Sequence, residues 1–482
     1  MSNRRLLPSW LLAVLAAAVV SAIVFCHFGH GAAAGTGKIV VWNGTLIDGT
    51  GAAPLPDAAV VIEDGRITAV GSVQELLLPP DAKWVDAHGG TILPGVIDPH
   101  THFTGPFWDG EDILSPWLQT GVTMIQDLGC IWFLVPFYRV KFAELQEPPR
   151  VQFAGPIIAP EGGYPNDPFL RGYGVDTVEE ARAFVSQLIE KQGVDLIKIA
   201  VETGYETDYY EPGLPVLTPE QVAAITEEAH SRGVIVVAHA TGPDELRIAV
   251  DNGVDVAAHA PIVPVPDSVF QDAIAHDVIM IGTAYAWDHG YTLSRQAAAN
   301  AARYWQLGGR IAIGTDYPFS PPSMPFHEFE LLSDAGIPNL DLIVAATKNS
   351  AAAIDREADL GTLEVGKIAD VIVVAGDPLA DIGAMMAVES VILGGEIVKG
   401  QASPDPTGTP TPVPMSTPTP TRPPGVGGAV MLPPAAIAAE SGAPSEGSGW
   451  PAATYAALAS AVAGAAVAVA AGGWYARRRR YR

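Results

Sequence analysis

The feature that most constrains the fold is a regular alternation, between residues 91 and 354, of short apolar runs with longer amphipathic stretches. Two of the amphipathic stretches begin with capping boxes, Thr177 with Glu180 and Thr218 with Gln221, which mark helix starts. This alternation is typical of βα units around a parallel sheet. The apolar runs that we interpret as strands are 91–98, 122–127, 151–154, 195–200, 234–239, 254–259, 278–283 and 311–316. The sequence therefore predicts an α/β protein with a (β/α)8 TIM barrel over residues 91–354.

The residues on either side of the barrel have shorter apolar runs joined by tight turns. Asp64-Gly65 separates two such runs before the barrel, and Gly394-Gly395 separates two after it. Both dipeptides are strong hairpin signals. Because the ends of a domain usually lie close together, we predict that residues 38–90 and 355–400 form one small composite β-sandwich.

The amino-terminal end of the chain differs from the body in composition. Arg4 and Arg5 precede an apolar stretch over residues 11–28. This pattern is typical of an export signal, although the stretch is also long enough for a membrane helix. We interpret residues 1–34 as a signal peptide or an amino-terminal anchor.

The carboxyl-terminal end predicts a membrane anchor. Residues 401–451 contain a tract rich in Pro and Thr and are interpreted as an extended stalk. Residues 452–476 are small and apolar, enough for a transmembrane helix, and the basic tail 477–482 marks the cytoplasmic side. The sequence thus predicts a cell-membrane localisation with the barrel on the extracytoplasmic side.

The overall charge limits the partners that the chain can have. It carries 27 basic and 53 acidic residues, for a formal net charge of -26 at pH 7 and a pI of about 4.6. Such an excess of negative charge argues against nucleic acid and anionic membrane surfaces as partners. The two cysteines, Cys26 and Cys130, imply no disulfide framework. The composition is compatible with an oligomer.

A His-x-His pair stands where the first barrel strand ends. His100 and His102 are two residues apart in an extended run, so their side chains project on the same side and can reach one metal ion. Barrel enzymes keep their chemistry at the carboxyl ends of the strands. Further ligands are therefore expected at the ends of later strands.

Four more polar residues stand at the ends of otherwise apolar predicted strands. They are Lys198, His239, His259 and Asp316. Burying one such group without a partner costs several kcal/mol. Because all four stand at equivalent positions, one explanation for their burial is favoured, and metal binding provides it. Taken singly, each histidine could be a hydrogen-bonded core residue, and Lys198 could be the partner in a salt bridge.

The order of these residues along the chain, His-x-His, Lys, His, His, Asp, resembles that of the amidohydrolase superfamily, in its binuclear branch with a carboxylated lysine. The stretch 361–374 resembles the return of that superfamily into its β-domain. The segments 121–129 and 239–259 are similar to those of the imidazolonepropionase-like group, which includes Xaa-Pro dipeptidases.

The resemblance implies a role for each of these residues. His100, His102 and Asp316 would bind one divalent ion, Zn²⁺ by analogy with the family, and His239 and His259 would bind a second. Carbon dioxide would convert Lys198 to a carbamate that bridges the two ions, since an ammonium group cannot ligate a cation. A hydroxide between the metals would attack an amide carbonyl, and Asp316 would carry the proton to the leaving nitrogen.

Two departures from the family pattern bear on the reaction and on the substrate. The mononuclear deaminases keep a glutamate three residues after the fifth-strand histidine, whereas Gly242 stands there in this chain. Hydrolysis is therefore favoured over deamination. Relatives tend to carry Gly-Gly-His after the third strand, whereas this chain has Tyr164 at the histidine position. Tyr164 and, after the seventh strand, Tyr285 are the candidate substrate-binding residues.

The sequence thus predicts a binuclear metal-dependent amidohydrolase that cleaves the C–N bond of a small amide, dipeptide or cyclic amide. Two alternatives stay open. The same dimetal site could hydrolyse a lactone or a phosphoester, or the barrel could be a non-catalytic binding module displayed on the cell surface. His327 and Glu328, which follow the eighth strand, are interpreted as the start of a helix.

Overall fold

The computed structural model describes residues 37–104, 110–145, 148–165, 172–203 and 213–402. Its strands are Lys38–Leu46 (β1), Leu55–Glu63 (β2), Arg66–Ser72 (β3), Lys83–Asp86 (β4), Thr91–Pro94 (β5), Val96–Thr101 (β6), Val122–Asp127 (β7), Arg150–Phe153 (β8), Ile157–Ala159 (β9), Tyr173–Gly174 (β10), Ile197–Ala200 (β11), Val236–His239 (β12), Val256–Ala257 (β13), Ile279–Gly282 (β14), Arg310–Ile313 (β15), Val371–Val374 (β16), Val388–Leu393 (β17) and Glu396–Lys399 (β18).

The α-helices of the described residues are Gly110–Gln119 (α1), Val135–Glu144 (α2), Val178–Gln187 (α3), Pro219–His230 (α4), Pro243–Asp251 (α5), Asp267–Ala275 (α6), Tyr291–Gln306 (α7), Phe326–Asp334 (α8), Asn339–Val344 (α9) and Ser350–Ala353 (α10). Short 3₁₀ segments lie at Trp132–Leu134, Ala284–Gly290 and Ile382–Met386, and π turns at Leu188–Gln192 and Ala345–Asn349. Thr218 caps α4 with the reciprocal bonds to Gln221 that the sequence predicts.

The central unit is a TIM-barrel-like α/β domain, as predicted. Parallel pairing runs through β6, β7 and β8, and again from β9 through β11 to β15. The third strand of the barrel bends at Gly155, so that β8 pairs with β7 and β9 with β11. A parallel bridge between Thr101 and Tyr317 links β6 to the chain that follows β15. The ring of strands is thereby closed, and its carboxyl ends face one common site.

A second sheet combines strands from both flanks of the barrel. Its order is β18-β17-β16-β5-β1-β2-β3, with β4 also paired to β1. Within this sheet the strands of the two flanks are joined by the antiparallel pairing of β5 with β16, from Thr91 opposite Val374 to Pro94 opposite Val371. The residue bounds predicted for the domains, and the description of this sheet as a sandwich, stay predictions.

The predicted first barrel strand, residues 91–98, is in fact two strands in different sheets. The division falls at Gly95, between β5 and β6. A Cβ atom at this position would lie 2.2 Å from Oγ1 of Thr123, so only glycine allows the chain to pass β7 this closely. The backbone N–H of Gly95 donates to the carbonyl of Asp370 at 2.9 Å. The chain therefore moves from the sheet to the barrel within one residue.

A partly buried ion pair joins the sheet to the barrel. Nη2 of Arg150, at the start of β8, lies 2.9 Å from Oδ1 of Asp370, which also accepts a hydrogen bond from the backbone N–H of Gly394. Nε of Arg150 donates to the second oxygen of Asp370 at 3.2 Å. The bidentate geometry fixes the loop before β16 against the bottom of the barrel.

The membrane prediction requires a correction. No helix among the residues that the structure describes is long and apolar enough to cross a bilayer. Even α7, with 16 residues, carries Arg295 and Arg303 and falls short of the roughly 20 apolar residues that a span needs. The predicted cell-membrane localisation is therefore wrong. The segments on which it depended, 1–34, 452–476 and 477–482, lie outside the described residues, as does all of the 401–451 stalk beyond its first two residues.

Candidate metal centre

Three of the predicted ligands meet at a single point at the carboxyl end of β6. Nε2 of His100 and Nε2 of His102 lie 3.3 Å apart. Oδ1 of Asp316 lies 3.2 Å from the first of these nitrogens and 3.4 Å from the second. All three side chains are buried. Asp316 adopts a left-handed backbone conformation, φ 52°, and its N–H donates to the carbonyl of His100, which turns its carboxylate toward the histidines.

The two remaining histidines complete the cluster. The ring of His259, which follows β13, lies 4.6 Å from the ring of His100 and 4.5 Å from that of His239, which ends β12. One ligand atom each from His100, His259 and Asp316 lies within 4.8 Å of the others. The five predicted imidazole and carboxylate ligands therefore occupy one buried site.

Hydrogen bonds fix which ring nitrogen faces the site in two of these histidines. Nδ1 of His100 lies 2.8 Å from the carbonyl oxygen of Ala258, which can only accept, so this nitrogen carries the proton. Nδ1 of His259 lies 2.8 Å from the hydroxyl of Thr283. Both rings thus present Nε2 to the cluster, the arrangement by which outer partners usually orient metal-binding histidines.

Lys198 is buried beside this cluster without a partner. It lies in β11, its side chain is among the largest that are fully buried, and its Nζ atom has no hydrogen-bond partner among the described residues. Burial lowers the pKa of Lys198, against the opposing effect of the Asp316 carboxylate. An unpaired amine in such a place is costly. Conversion to a carbamate that ligates metal would remove this cost, so the residues present fit a metal site.

The protonation states also fit cation binding. Burial lowers the pKa of all four histidines, and that of His102 falls to about 3, with the charge of Lys198 as a further cause. The rings are therefore neutral near pH 7, as metal ligands must be. Burial raises the pKa of Asp316, and the positive charge of Lys198 opposes this shift. A bound cation would act in the same direction as Lys198 and favour the carboxylate.

Two buried carboxylates at this site were not predicted from the sequence. Asp98 lies in β6, two residues before His100, and accepts hydrogen bonds from the backbone N–H groups of His100 and Thr315. Glu202 follows β11 and lies 3.5 Å from Nε2 of His239. The sequence did contain a signal for both residues, because each is an acidic residue within or directly after an apolar run that ends at the site.

The two candidate substrate-binding residues occupy different surroundings. The ring of Tyr164 stacks on that of His239, with centroids 4.2 Å apart and planes 26° apart. Tyr285 instead stacks on His327 at 4.5 Å, and its backbone N–H donates to the buried carboxylate of Glu328. Tyr164 thus lies against a proposed ligand, whereas Tyr285 packs on α8. His327 and Glu328 do lie in the first turn of that helix.

Comparison with known proteins gives matches over the same part of the chain. The model of the amidohydrolase family matches residues 91–398. The imidazolonepropionase of Symbiobacterium thermophilum is 27% identical over 377 residues, which cover 67% of this chain and 85% of that protein. The enamidase of Eubacterium barkeri is 26% identical over 402 residues, which cover 75% of this chain and 95% of the enamidase.

Solved structures show the same fold. The crystal structure of a Xaa-Pro dipeptidase with bound methionine in its active site matches with a TM-score of 0.66 at 24% sequence identity. The match covers 75% of this chain and the whole of the dipeptidase. At this level of identity the similarity bears on the fold alone. Imidazolonepropionase and Xaa-Pro dipeptidase belong to the group that the sequence motifs indicated.

Proposed function

This chain belongs to the amidohydrolase family, and on that premise we propose that it hydrolyses a carbon–nitrogen bond of a small amide with two divalent metal ions. It is a metal-dependent hydrolase of the kind that the family comprises. The observation that carries the proposal is the convergence of His100, His102, His259 and Asp316. Beside them lies Lys198, whose Nζ has no hydrogen-bond partner in the described part of the chain. A non-catalytic binding module would have no need of this buried set.

The proposed ligands divide into two groups. His100, His102 and Asp316 would hold one ion, and His239 with His259 would hold the other. Lys198, as its carbamate, would bridge them, which agrees with its burial and its lowered pKa because carbon dioxide reacts with the neutral amine. Neutral imidazoles with carboxylate oxygens suit Zn²⁺, and we propose zinc for both positions.

When bound, two divalent ions would lower the pKa of an attacking water and polarise the substrate carbonyl. The remaining chemistry falls to the side chains. Asp316 would accept the proton of the attacking water and deliver it to the leaving nitrogen, for which its position at the meeting point of His100 and His102 is suited. The hydrogen bond from His100 to Ala258 would hold the ring in place while this proton moves.

The substrate proposed is a small amide, a dipeptide or a cyclic amide. The relatives named imidazolonepropionase, enamidase and Xaa-Pro dipeptidase support this range. Tyr164, stacked on His239, would form one wall of the substrate site. A phenol in this place offers an apolar ring face together with one hydroxyl, which suits a compact substrate with few charges.

The proposal is tested by measuring the metal content and the activity of the full-length chain, purified in the presence of zinc and bicarbonate. We expect two zinc ions per chain, and hydrolysis of at least one member of a panel of amides, dipeptides and cyclic amides that is lost on chelation and restored by zinc. One ion per chain would contradict the binuclear site. Turnover confined to the lactones or phosphoesters added to the panel would contradict the amide assignment.

A further inference from the structure

Glu202 is a buried carboxylate that the proposed reaction does not use. It lies two residues beyond β11, and the residue is 1% exposed. Its Oε2 atom accepts a hydrogen bond of 2.5 Å from the hydroxyl of Thr241. The same oxygen lies 3.5 Å from Nε2 of His239. A carboxylate is thus held between a strand-end hydroxyl and a proposed metal ligand.

Two contacts among those of the His239 ring bear on its orientation. The ring of Tyr164 covers one face, and Glu202 lies at the edge that carries Nε2. The backbone is fixed as well, since the N–H of Val201 donates to the carbonyl of His239 at 2.9 Å. A carboxylate at Nε2 can only accept, so it favours the tautomer that carries its proton on that nitrogen.

We propose that Glu202 is a positioning residue, which holds the proton on Nε2 of His239 and thereby directs Nδ1 to the second metal ion. This inference rests on the proposed metal site. Thr241 has a supporting part, because its hydroxyl fixes the oxygen that faces the ring.

The other oriented histidines make the arrangement at His239 distinctive. His100 and His259 are held at Nδ1, by a carbonyl and by a hydroxyl, and so present Nε2. His239 is held at the opposite nitrogen, and by a charged group. A carboxylate makes an imidazole a stronger ligand than a neutral acceptor does.

The test is the affinity of the full-length chain for each of two zinc equivalents, measured by competition with a chelator. We expect Glu202→Leu to lower the affinity for one zinc ion by about 10-fold to 100-fold and to leave the affinity for the other within about threefold of the parent value. Glu202→Gln keeps an acceptor oxygen and should stay within about tenfold of the parent for both. Thr241→Val should lie between these two variants.

A matched control is Glu245→Leu. Glu245 is equally buried, belongs to the neighbouring helix α5, and accepts a hydrogen bond from Thr203. We expect this variant to bind both equivalents as the parent does. Cobalt substitution gives a second readout, in which the visible spectrum should change for Glu202→Leu but not for Glu202→Gln or Glu245→Leu.

The outcomes separate this inference from the proposed function. Two equivalents in the parent, bound with unchanged affinity by Glu202→Leu, would overturn the inference and leave the metal site in place. Equal weakening in Glu202→Leu and Glu202→Gln would also overturn it, since charge and not orientation would then matter. Equal loss of both equivalents in Glu202→Leu would overturn it in favour of a general structural role. Fewer than two ions in the parent would overturn the proposed function, and the inference with it.

Discussion

Thr315 donates two hydrogen bonds to the carboxylate of Asp98, from its hydroxyl to Oδ2 at 2.6 Å and from its backbone N–H to Oδ1 at 3.0 Å. These bonds join the first strand of the barrel to the residue directly before Asp316. The backbone N–H of His100 donates to the same carboxylate. The two halves of the first proposed metal position are thus fixed to each other by one buried side chain.

Thr315→Val should therefore impair both stability and activity. The loss of a hydrogen bond to a buried carboxylate is expected to lower the free energy of unfolding by about 1–3 kcal/mol. Because Asp316 is the next residue, its displacement should also lower kcat by at least about tenfold. Thr315→Ser keeps the hydroxyl and should recover most of both. Denaturant unfolding and steady-state kinetics measure the two effects, and a Ser variant as impaired as the Val variant would contradict the role of the hydroxyl.

Lys198→Ala should abolish binding of two metal ions, because the proposed bridging carbamate is lost with the side chain. Added short carboxylates such as acetate or propionate should enter the space left by the side chain and partly recover metal binding. Metal content per chain measures both effects. Lys141→Ala, on the exposed side of α2, serves as the control. Full metal content in Lys198→Ala without added carboxylate would exclude the bridging role.

Asp316→Asn should separate metal binding from hydrolysis. The amide still offers an oxygen to the ion, and four histidines remain, so at least one metal ion should stay bound. It cannot accept the proton of the attacking water, so kcat should fall by at least about 100-fold. Metal analysis and kinetics on the same preparation are needed. Activity within about tenfold of the parent would show that another group carries the proton.

Tyr164→Ala should raise KM more than Tyr285→Ala does. The ring of Tyr164 lies against His239, at the proposed site, whereas that of Tyr285 lies against His327. We expect a rise in KM of about tenfold for Tyr164→Ala and of less than about threefold for Tyr285→Ala. Tyr164→Phe, which keeps the stacked ring, tests the hydroxyl separately. An equal rise in KM for the two Ala variants would show that Tyr285 contributes to substrate binding as much as Tyr164 does.

Glu328→Gln should alter the pH dependence of stability. Burial raises the pKa of Glu328 from its ordinary value of 4.5 to about 7, although the backbone N–H of Tyr285 opposes this shift. Between these two pH values the folded chain holds a proton that the unfolded chain has released. The contribution of Glu328 to the free energy of unfolding is therefore fully present below pH 4.5 and is lost as the pH rises through 7.

The variant lacks this titration, so its free energy of unfolding should fall less than that of the parent between about pH 4.5 and about pH 8. The difference is expected to be of the order of 3 kcal/mol. Guanidinium denaturation of both proteins at about pH 4.5 and at about pH 8 measures this difference. Glu330→Gln, on the exposed side of the same helix, is the control. Parallel losses in parent and Glu328→Gln would contradict a raised pKa.

The barrel was predictable because each strand is an apolar run of its own and the helices between them have clear starts. Where the prediction failed, two apolar runs were continuous in sequence. The division between β5 and β6 falls at Gly95, which closely approaches Thr123, and that contact exists only in the folded chain. The strand predicted over residues 254–259 is only Val256–Ala257, and directly after it the carbonyl of Ala258 is bonded to the His100 ring.

The proposed ligands were also predictable, since a polar residue at the end of an apolar strand is costly to bury unless a ligand or a partner compensates it. Their supporting residues were not. A partner of Asp98 is Thr315, 217 residues away, and a partner of Glu202 is Thr241, which follows the next strand, β12. Such pairs become neighbours only through the topology of the barrel, and a single sequence contains no record of the pairing.

The junction at Gly95 has a consequence for synthesis on the ribosome. Strand β5 leaves the exit tunnel before any barrel strand, but its partner β16 is made only after the whole barrel. At the usual rate of about 5–20 residues per second, the edge of β5 waits for at least about ten seconds, with backbone groups open to other strands. The barrel is thus able to form first, and the sheet closes last. A chain that stops short of β16 would present this edge permanently and would be prone to aggregate.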